Sequence, residues 1–135
     1  MADVVIEYQR IGLLPTCLGN ERIRILADGG IEHGANSREC EAGARWSSDW
    51  QEAGRLDDAA LARLLAAIRQ SGLLALPPTM IDEDAEDGRR EELRIHIDGA
   101  DHCFVAQNCD PPALRAVVRL LWDALAVAGL PRRSG

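Results

Sequence analysis

The segment HIDGADHCFVAQNCDPP, at residues 96–112, concentrates side chains that bind metals or carry out thiol chemistry. The potential ligands are His96, His102, Cys103 and Cys109. A structural zinc site needs about four nitrogen or sulfur ligands that converge on one ion. The segment contains neither a C-x-x-C nor an H-x-x-x-H spacing, so the ligand types are present without the usual ligand arrangement.

A predicted β-hairpin separates these potential ligands. Asp98-Gly99 is typical of a two-residue turn, and side chains alternate between the two faces of the flanking strands. His96, Asp101 and Cys103 then share one face, whereas His102 lies on the other. We therefore predict no metal site, and we expect His96 to pair with Asp101 on an exposed face.

Cys109 is the thiol with the most distinctive predicted position. Asp110 is a typical helix cap and Pro111 suits the first helical position, so Cys109 precedes a helix N-terminus, which favours a thiolate. Four cysteines in a chain without a signal-peptide pattern indicate reduced thiols rather than a disulfide framework. A thiol- or metal-dependent site around Cys103 and Cys109 is therefore an alternative function.

Motifs for other enzymatic chemistry do not occur in the sequence. It contains no G-x-S-x-G nucleophile motif and no glycine-rich phosphate loop. The acidic run DEDAEDG at 82–88 differs from a calcium-binding loop at two positions. Its glycine is at the seventh position rather than the sixth, and Leu93 occupies the twelfth, where a calcium loop needs glutamate. We predict no catalytic residue, no cofactor and no enzymatic activity.

The charge balance disfavours nucleic acid and anionic membranes as partners. The formal net charge is −7, and the arginines are dispersed, whereas binding to nucleic acid requires clustered positive charge. No stretch approaches the roughly 20 apolar residues that span a bilayer. We expect a cytoplasmic protein with a single domain at 1–130 and a flexible tail at 131–135.

Hydrophobic periodicity predicts both strands and helices. One helix begins at its cap Asp57 and ends before Gly72, and a second begins at Asp110 and ends near Gly129. Residues 82–92 lack apolar periodicity and are predicted to form a solvated loop. Alternating apolar residues predict strands at 4–9, 22–27, 31–33, 93–97 and 101–107.

These elements define an α+β fold. The predicted order is β-β-β-(β)-α-β-β-α, in which ARWSSDWQEAGRL forms either the bracketed strand or irregular chain. Because hairpins join most strands, we expect a largely antiparallel sheet of four to six strands with both helices packed on one face.

Two apolar features are typical of a recognition surface. The segment IGLLPTCL, from Ile11 to Leu18, is predicted to form an apolar loop with proline and glycine that contains Leu13, Leu14 and Leu18. Exposed apolar patches often mark partner sites. Trp46 and Trp50 lie on one side of either a strand or a helix, and roles in the core and at an interface are equally open. We predict that these five residues contact a partner protein.

Several segments together resemble emfourin-like proteins, small bacterial inhibitors of thermolysin-like metallopeptidases. The first strand ends in Arg10-x-Gly12, and the resemblance continues through RIRILADGG, LDDAALARLLAAIRQSGLLALPP and LRIHIDGADHCFVAQNCDPPALRAVVRLLWDAL. The best-matching pieces, 56–78 and 93–125, cover about half of the chain, and the order of elements is also similar to that of uncharacterised bacterial α+β domains. Leu13 and Leu14 replace a glycine and an aromatic residue of the family, and no inhibitory residue is carried over.

The resemblance implies a small α+β domain and a metallopeptidase as partner. The leading hypothesis is therefore a non-enzymatic protein-binding module, and inhibition of a thermolysin-like metallopeptidase is its specific form. A structural subunit of a larger assembly is a further alternative.

Overall fold

The computed structural model of the chain describes residues 3–12, 20–35, 50–82 and 89–128. The predicted tail at 131–135 lies outside these residues.

The described residues form one seven-stranded sheet and two α-helices. The strands are β1 (Val4–Gly12), β2 (Glu21–Leu26), β3 (Gly30–Ala35), β4 (Gln51–Arg55), β5 (Thr79–Ile81), β6 (Arg89–Ile97) and β7 (Ala100–Gln107). The helices are α1 (Asp58–Gln70) and α2 (Pro112–Val127), and a short 3-10 turn, Leu73–Ala75, follows α1.

The strands follow the spatial order β4-β3-β2-β1-β6-β7-β5. Neighbouring strands are antiparallel except β5 and β7, which are parallel. The α+β class and the largely antiparallel sheet are therefore confirmed, but seven strands exceed the predicted four to six. The extra strand is β5, whose three residues after Pro77-Pro78 are too few to produce a recognisable alternation.

Both helices pack on one face of the sheet, where the core lies. Removing this apolar surface from water is the main favourable contribution to folding. The core includes Ile6, Tyr8, Ile23, Ile25, Ile31, Leu93, Ile95 and Phe104 from the strands, and Leu64, Ile68, Leu114, Val117 and Leu121 from the helices. We call the opposite side the helix-free face, since no described helix covers it. Neither described helix is long and apolar enough to cross a membrane.

The ends of α1 confirm the sequence prediction. The Asp57 carboxylate accepts a hydrogen bond from the Ala60 amide at 2.7 Å, which satisfies one of the free N–H groups at the helix start. Gly72 follows the C-cap with φ +86°, a left-handed conformation that glycine adopts without strain.

The β6–β7 hairpin also has the predicted turn and register. Asp98 and Gly99 have φ angles of +53° and +77°, as a two-residue hairpin with right-handed strand twist requires. His96 lies opposite Asp101, and Ile95 lies opposite His102, so the two histidines point to different faces as expected.

The start of α2 differs from the prediction. Pro111 is the N-cap residue, and no side chain caps the helix. Asp110 therefore lies one position too early to cap, and its carboxylate instead accepts a hydrogen bond from the Arg115 guanidinium at 2.7 Å. Because the two consecutive prolines lack amide N–H groups, two of the four N–H groups that are free at a helix start are absent here.

Two predicted loop boundaries are also wrong. Strand β6 begins at Arg89, so 89–92 belong to the sheet rather than to the predicted loop at 82–92. Charged side chains dominate this part of the strand and hide its alternation from a hydrophobicity pattern. Ile11 lies in β1 and is only 7% exposed, so it does not belong to an exposed apolar loop.

Candidate functional site

Only one of the five predicted partner-contacting residues can be located. Leu13, Leu14, Leu18 and Trp46 lie outside the described residues. Trp50 immediately precedes β4 and is half-buried.

The Trp50 ring contacts two arginines from β2. The guanidinium carbons of Arg22 and Arg24 lie 4.2 and 4.3 Å from its ring centroid. Both arginines alternate with the core residues Ile23 and Ile25, so the contact lies on the helix-free face. Such cation–π contacts contribute about 0.5–1 kcal/mol at exposed sites and more when water is excluded.

A row of alternating charges crosses the helix-free face beside Trp50. Arg24 forms an ion pair with Glu32 at 2.8 Å. Glu7 lies between Arg24 and Arg94 in the strand register. The four residues run in the order Glu32, Arg24, Glu7 and Arg94 across β3, β2, β1 and β6. We call this row, together with Trp50, the charged sheet patch.

The histidines and cysteines of β6 and β7 do not converge. His96 Nδ1 lies 2.8 Å from Asp101 Oδ1 with both side chains exposed, as the sequence predicts. His102 stacks against Phe104 on the other face. Throughout the described ranges, no three His, Cys, Asp or Glu side chains are grouped so that they could hold a metal ion.

The two described cysteines occupy different surroundings. Cys103 is exposed opposite Arg94, and the pKa of Arg94 is raised first by its hydrogen bond with Cys103 and then by nearby negative charge. Cys109 is half-buried and packs against the edge of the core. Both thiols are free.

A buried carboxylate near the start of β6 is the most unusual feature of the described structure. Glu91 is 1% exposed and accepts a hydrogen bond from the Tyr8 hydroxyl at 2.5 Å. Its other oxygen accepts hydrogen bonds from Arg115 at 2.8 Å and Arg89 at 3.2 Å. A buried carboxylate needs such partners, since an unpaired buried charge is strongly destabilising.

The same network fixes the arginine of α2. Arg115 bridges Glu91 and Asp110 through two different nitrogens, so its guanidinium is held from two sides. Burial by itself lowers the pKa of Arg115, but the hydrogen bond to Asp110 and the charge of Glu91 outweigh burial and raise it. The pKa of Tyr8 is raised well above its ordinary value by burial, then by the hydrogen bond to Glu91 and by the charge of that carboxylate.

A cavity of about 450 Å³ opens next to this network, between β1 and α2. Three of its lining residues are arginines, namely Arg10, Arg115 and Arg119. The other described lining residues are Tyr8, Val118, Trp122 and Asp123. We call this cavity the arginine pocket. The volume of the arginine pocket falls within the range of pockets that bind small molecules.

The sequence prediction missed the arginine pocket entirely. Glu91 has the same parity as Leu93 and Ile95, which would place it on the core face of a longer strand. Arg115 and Arg119 are four residues apart, so they follow one another on a single side of the helix. These signals were present, but the acidic composition of 82–92 obscured the first.

Comparison with known proteins adds no functional assignment. The chain matches no protein-family model and no curated protein sequence.

Proposed function

We propose that this chain is a non-enzymatic protein-binding module that contacts its partner through the charged sheet patch. The observation that carries the proposal is the contact of the half-buried Trp50 ring with the guanidinium groups of Arg22 and Arg24.

Residue type and rigidity both favour this surface. Tryptophan and arginine are enriched among the residues that contribute most to protein–protein binding. The arginines restrain the Trp50 ring before a partner arrives, and the ion pair with Glu32 restrains Arg24. Less side-chain freedom is then lost on binding, which favours affinity.

The charge pattern suggests the chemistry of the partner. The row from Glu32 to Arg94 alternates in sign. A partner surface with the opposite alternation would pair each charge and fix the register, whereas a uniformly acidic or basic partner would meet like charges. We therefore expect a partner with mixed charges around an apolar group that packs on Trp50.

Inhibition of a thermolysin-like metallopeptidase is the specific form of the proposal. Its support is the sequence resemblance at 56–78 and 93–125, which include α1, the 3-10 turn, β7 and most of β6 and α2. An inhibitor of this kind acts by occupying a surface of the protease and needs no catalytic group of its own.

The inhibitor form is tested by titrating the chain into a thermolysin-like metallopeptidase and following peptide hydrolysis. We expect inhibition at micromolar concentrations that Trp50→Ala weakens about tenfold or more, the effect typical of a central interface residue. Arg63→Ala is the matched control, since Arg63 is exposed on α1 across the sheet from the patch. Lack of inhibition by the unmodified chain would exclude a thermolysin-like metallopeptidase as the partner.

The wider proposal is tested by affinity capture from extracts of the source organism, with the unmodified chain and both variants as bait. A partner retained by the unmodified chain and Arg63→Ala, but lost with Trp50→Ala, supports it. If Trp50→Ala keeps its circular dichroism spectrum and loses no captured protein, the charged sheet patch is not the binding surface.

A further inference from the structure

The arginine pocket combines features that the protein-binding proposal does not use. It lies beside α2, on the opposite side of the sheet from Trp50, and its described lining carries three guanidinium groups against the single carboxylate of Asp123. This local excess of positive charge contrasts with the net charge of −7 for the chain.

The three arginines are not equally committed to neighbours. Arg115 is held by Glu91 and Asp110. Arg10 forms one long ion pair with Glu21 at 3.6 Å, and both side chains are more than one-third exposed, so that pair contributes little.

Arg119 is the most available of the three. It is exposed and makes no hydrogen bond or ion pair with the residues that the structure describes. Arg10 and Arg119 therefore retain donors for an incoming anion.

An apolar wall faces these donors. Val118 and Trp122 lie one helical turn apart on α2 and both line the pocket. The Trp122 ring is oriented by an edge-to-face contact with His33, with ring centroids 5.5 Å apart. Val118 is only 4% exposed, so a ligand that pairs only with the arginines would leave mainly the half-buried Trp122 side chain in contact with water.

We propose that the arginine pocket binds a small organic carboxylate. Arg10 and Arg119 pair with the carboxylate, and the apolar part of the ligand packs on Val118 and Trp122. Arginine suits this role because its planar guanidinium presents paired N–H donors that match the two carboxylate oxygens.

The Glu91 network positions the floor of the pocket. Tyr8 and Arg115 both line the cavity and both bond to the buried Glu91 carboxylate. Their side chains are thus fixed before a ligand enters, which reduces the entropy lost on binding. Because the Glu91 carboxylate already neutralises part of the positive charge of Arg115, Arg10 and Arg119 provide most of the selectivity for an anion.

The proposal is tested by isothermal titration calorimetry of the full chain with four probes. Phenylacetate and hexanoate carry a carboxylate on an apolar group, phenylacetamide lacks the charge, and inorganic phosphate lacks the apolar group. We expect saturable binding of at least one carboxylate, with phenylacetamide and phosphate at least about tenfold weaker.

Variants locate the site. Arg10→Gln and Arg119→Gln should each weaken carboxylate binding about tenfold, the loss expected for one hydrogen bond to a charged group. Arg63→Gln removes an exposed arginine remote from the pocket and should change nothing. The Trp122 indole resonance, assigned by its loss in Trp122→Phe, should shift on titration in the unmodified chain.

Three results would overturn the proposal. The first is the absence of binding by both carboxylates at millimolar concentration. The second is binding of phosphate or phenylacetamide with the same affinity as the carboxylates. Equal affinity for phosphate would mean that the apolar group is not recognised, and equal affinity for phenylacetamide would mean that the charge is not recognised. The third is unchanged affinity in Arg119→Gln. None of these measurements involves a protein partner, so they leave the function of the charged sheet patch untouched.

Discussion

The single tyrosine of this chain provides a direct test of the Glu91 network. The Tyr8 hydroxyl donates a hydrogen bond to the buried Glu91 carboxylate, and the pKa of Tyr8 is raised first by burial and then by that hydrogen bond and charge. The unfolded chain ionises its tyrosine near pH 10. Above this pH the folded protein therefore binds the proton more tightly than the unfolded chain, and stability must fall as pH rises.

The size of this loss follows from the linkage relation. At pH 11, one unit above the unfolded pKa, the contribution lost is RT ln(1 + 10), or about 1.4 kcal/mol, while at pH 8 it is close to zero. Replacing Tyr8 with phenylalanine removes the titrating group. The variant should be less stable than the unmodified chain by about 1.5–3 kcal/mol at pH 8, because it loses a hydrogen bond to a charged group.

The difference in stability between the two proteins should then shrink by about 1.4 kcal/mol between pH 8 and pH 11. Urea unfolding of both proteins at several pH values measures it. Tyrosinate absorbance at 295 nm gives an independent readout, since the chain has only one tyrosine. A folded protein whose tyrosine ionises near pH 10, or a constant difference between the two proteins, would refute the network.

Two further predictions concern the elements that support the sites. Asp57→Ala should lower the free energy of unfolding by about 1 kcal/mol, because it removes the α1 cap, while Asp57→Ser should retain most of it; urea denaturation measures both. Gly29→Ala should destabilise far more than Gly72→Ala, although both glycines have positive φ. A Cβ at Gly29 would lie 2.0 Å from the Leu56 carbonyl oxygen, whereas one at Gly72 meets nothing within 4 Å, so Gly72→Ala should cost only about 1–2 kcal/mol of backbone strain. Equal melting temperatures for the two glycine variants would contradict the close approach of Gly29 to Leu56.

Local chemistry explains why some elements could be predicted. The β6–β7 hairpin follows from Asp98-Gly99, because a left-handed turn pair fixes the register of the flanking strands. Once the register is fixed, the alternation of side chains along each strand places His96 and His102 on opposite faces of the sheet. The limits of α1 follow from Asp57 and Gly72 for the same reason, since a cap and a left-handed residue each act within one helical turn.

The candidate sites depend on contacts that are distant in sequence. Tyr8 and Glu91 are 83 positions apart and meet because β1 pairs with β6 at the centre of the sheet. Arg115 reaches Glu91 only because α2 packs on that face. Asp110 illustrates the same limit, since its type favours a cap, but the two following prolines and the nearby Arg115 give it a different partner.

By itself, the sequence determined the α+β class, the α1 helix and the β6–β7 hairpin, because each depends on interactions among residues close along the chain. Only the tertiary structure decided the strand order, the parallel pairing of β5, the burial of Glu91 and the formation of the arginine pocket. These features arise when strands and helices far apart in sequence pack together, and the pairing of a buried charge depends on which side chains then surround it.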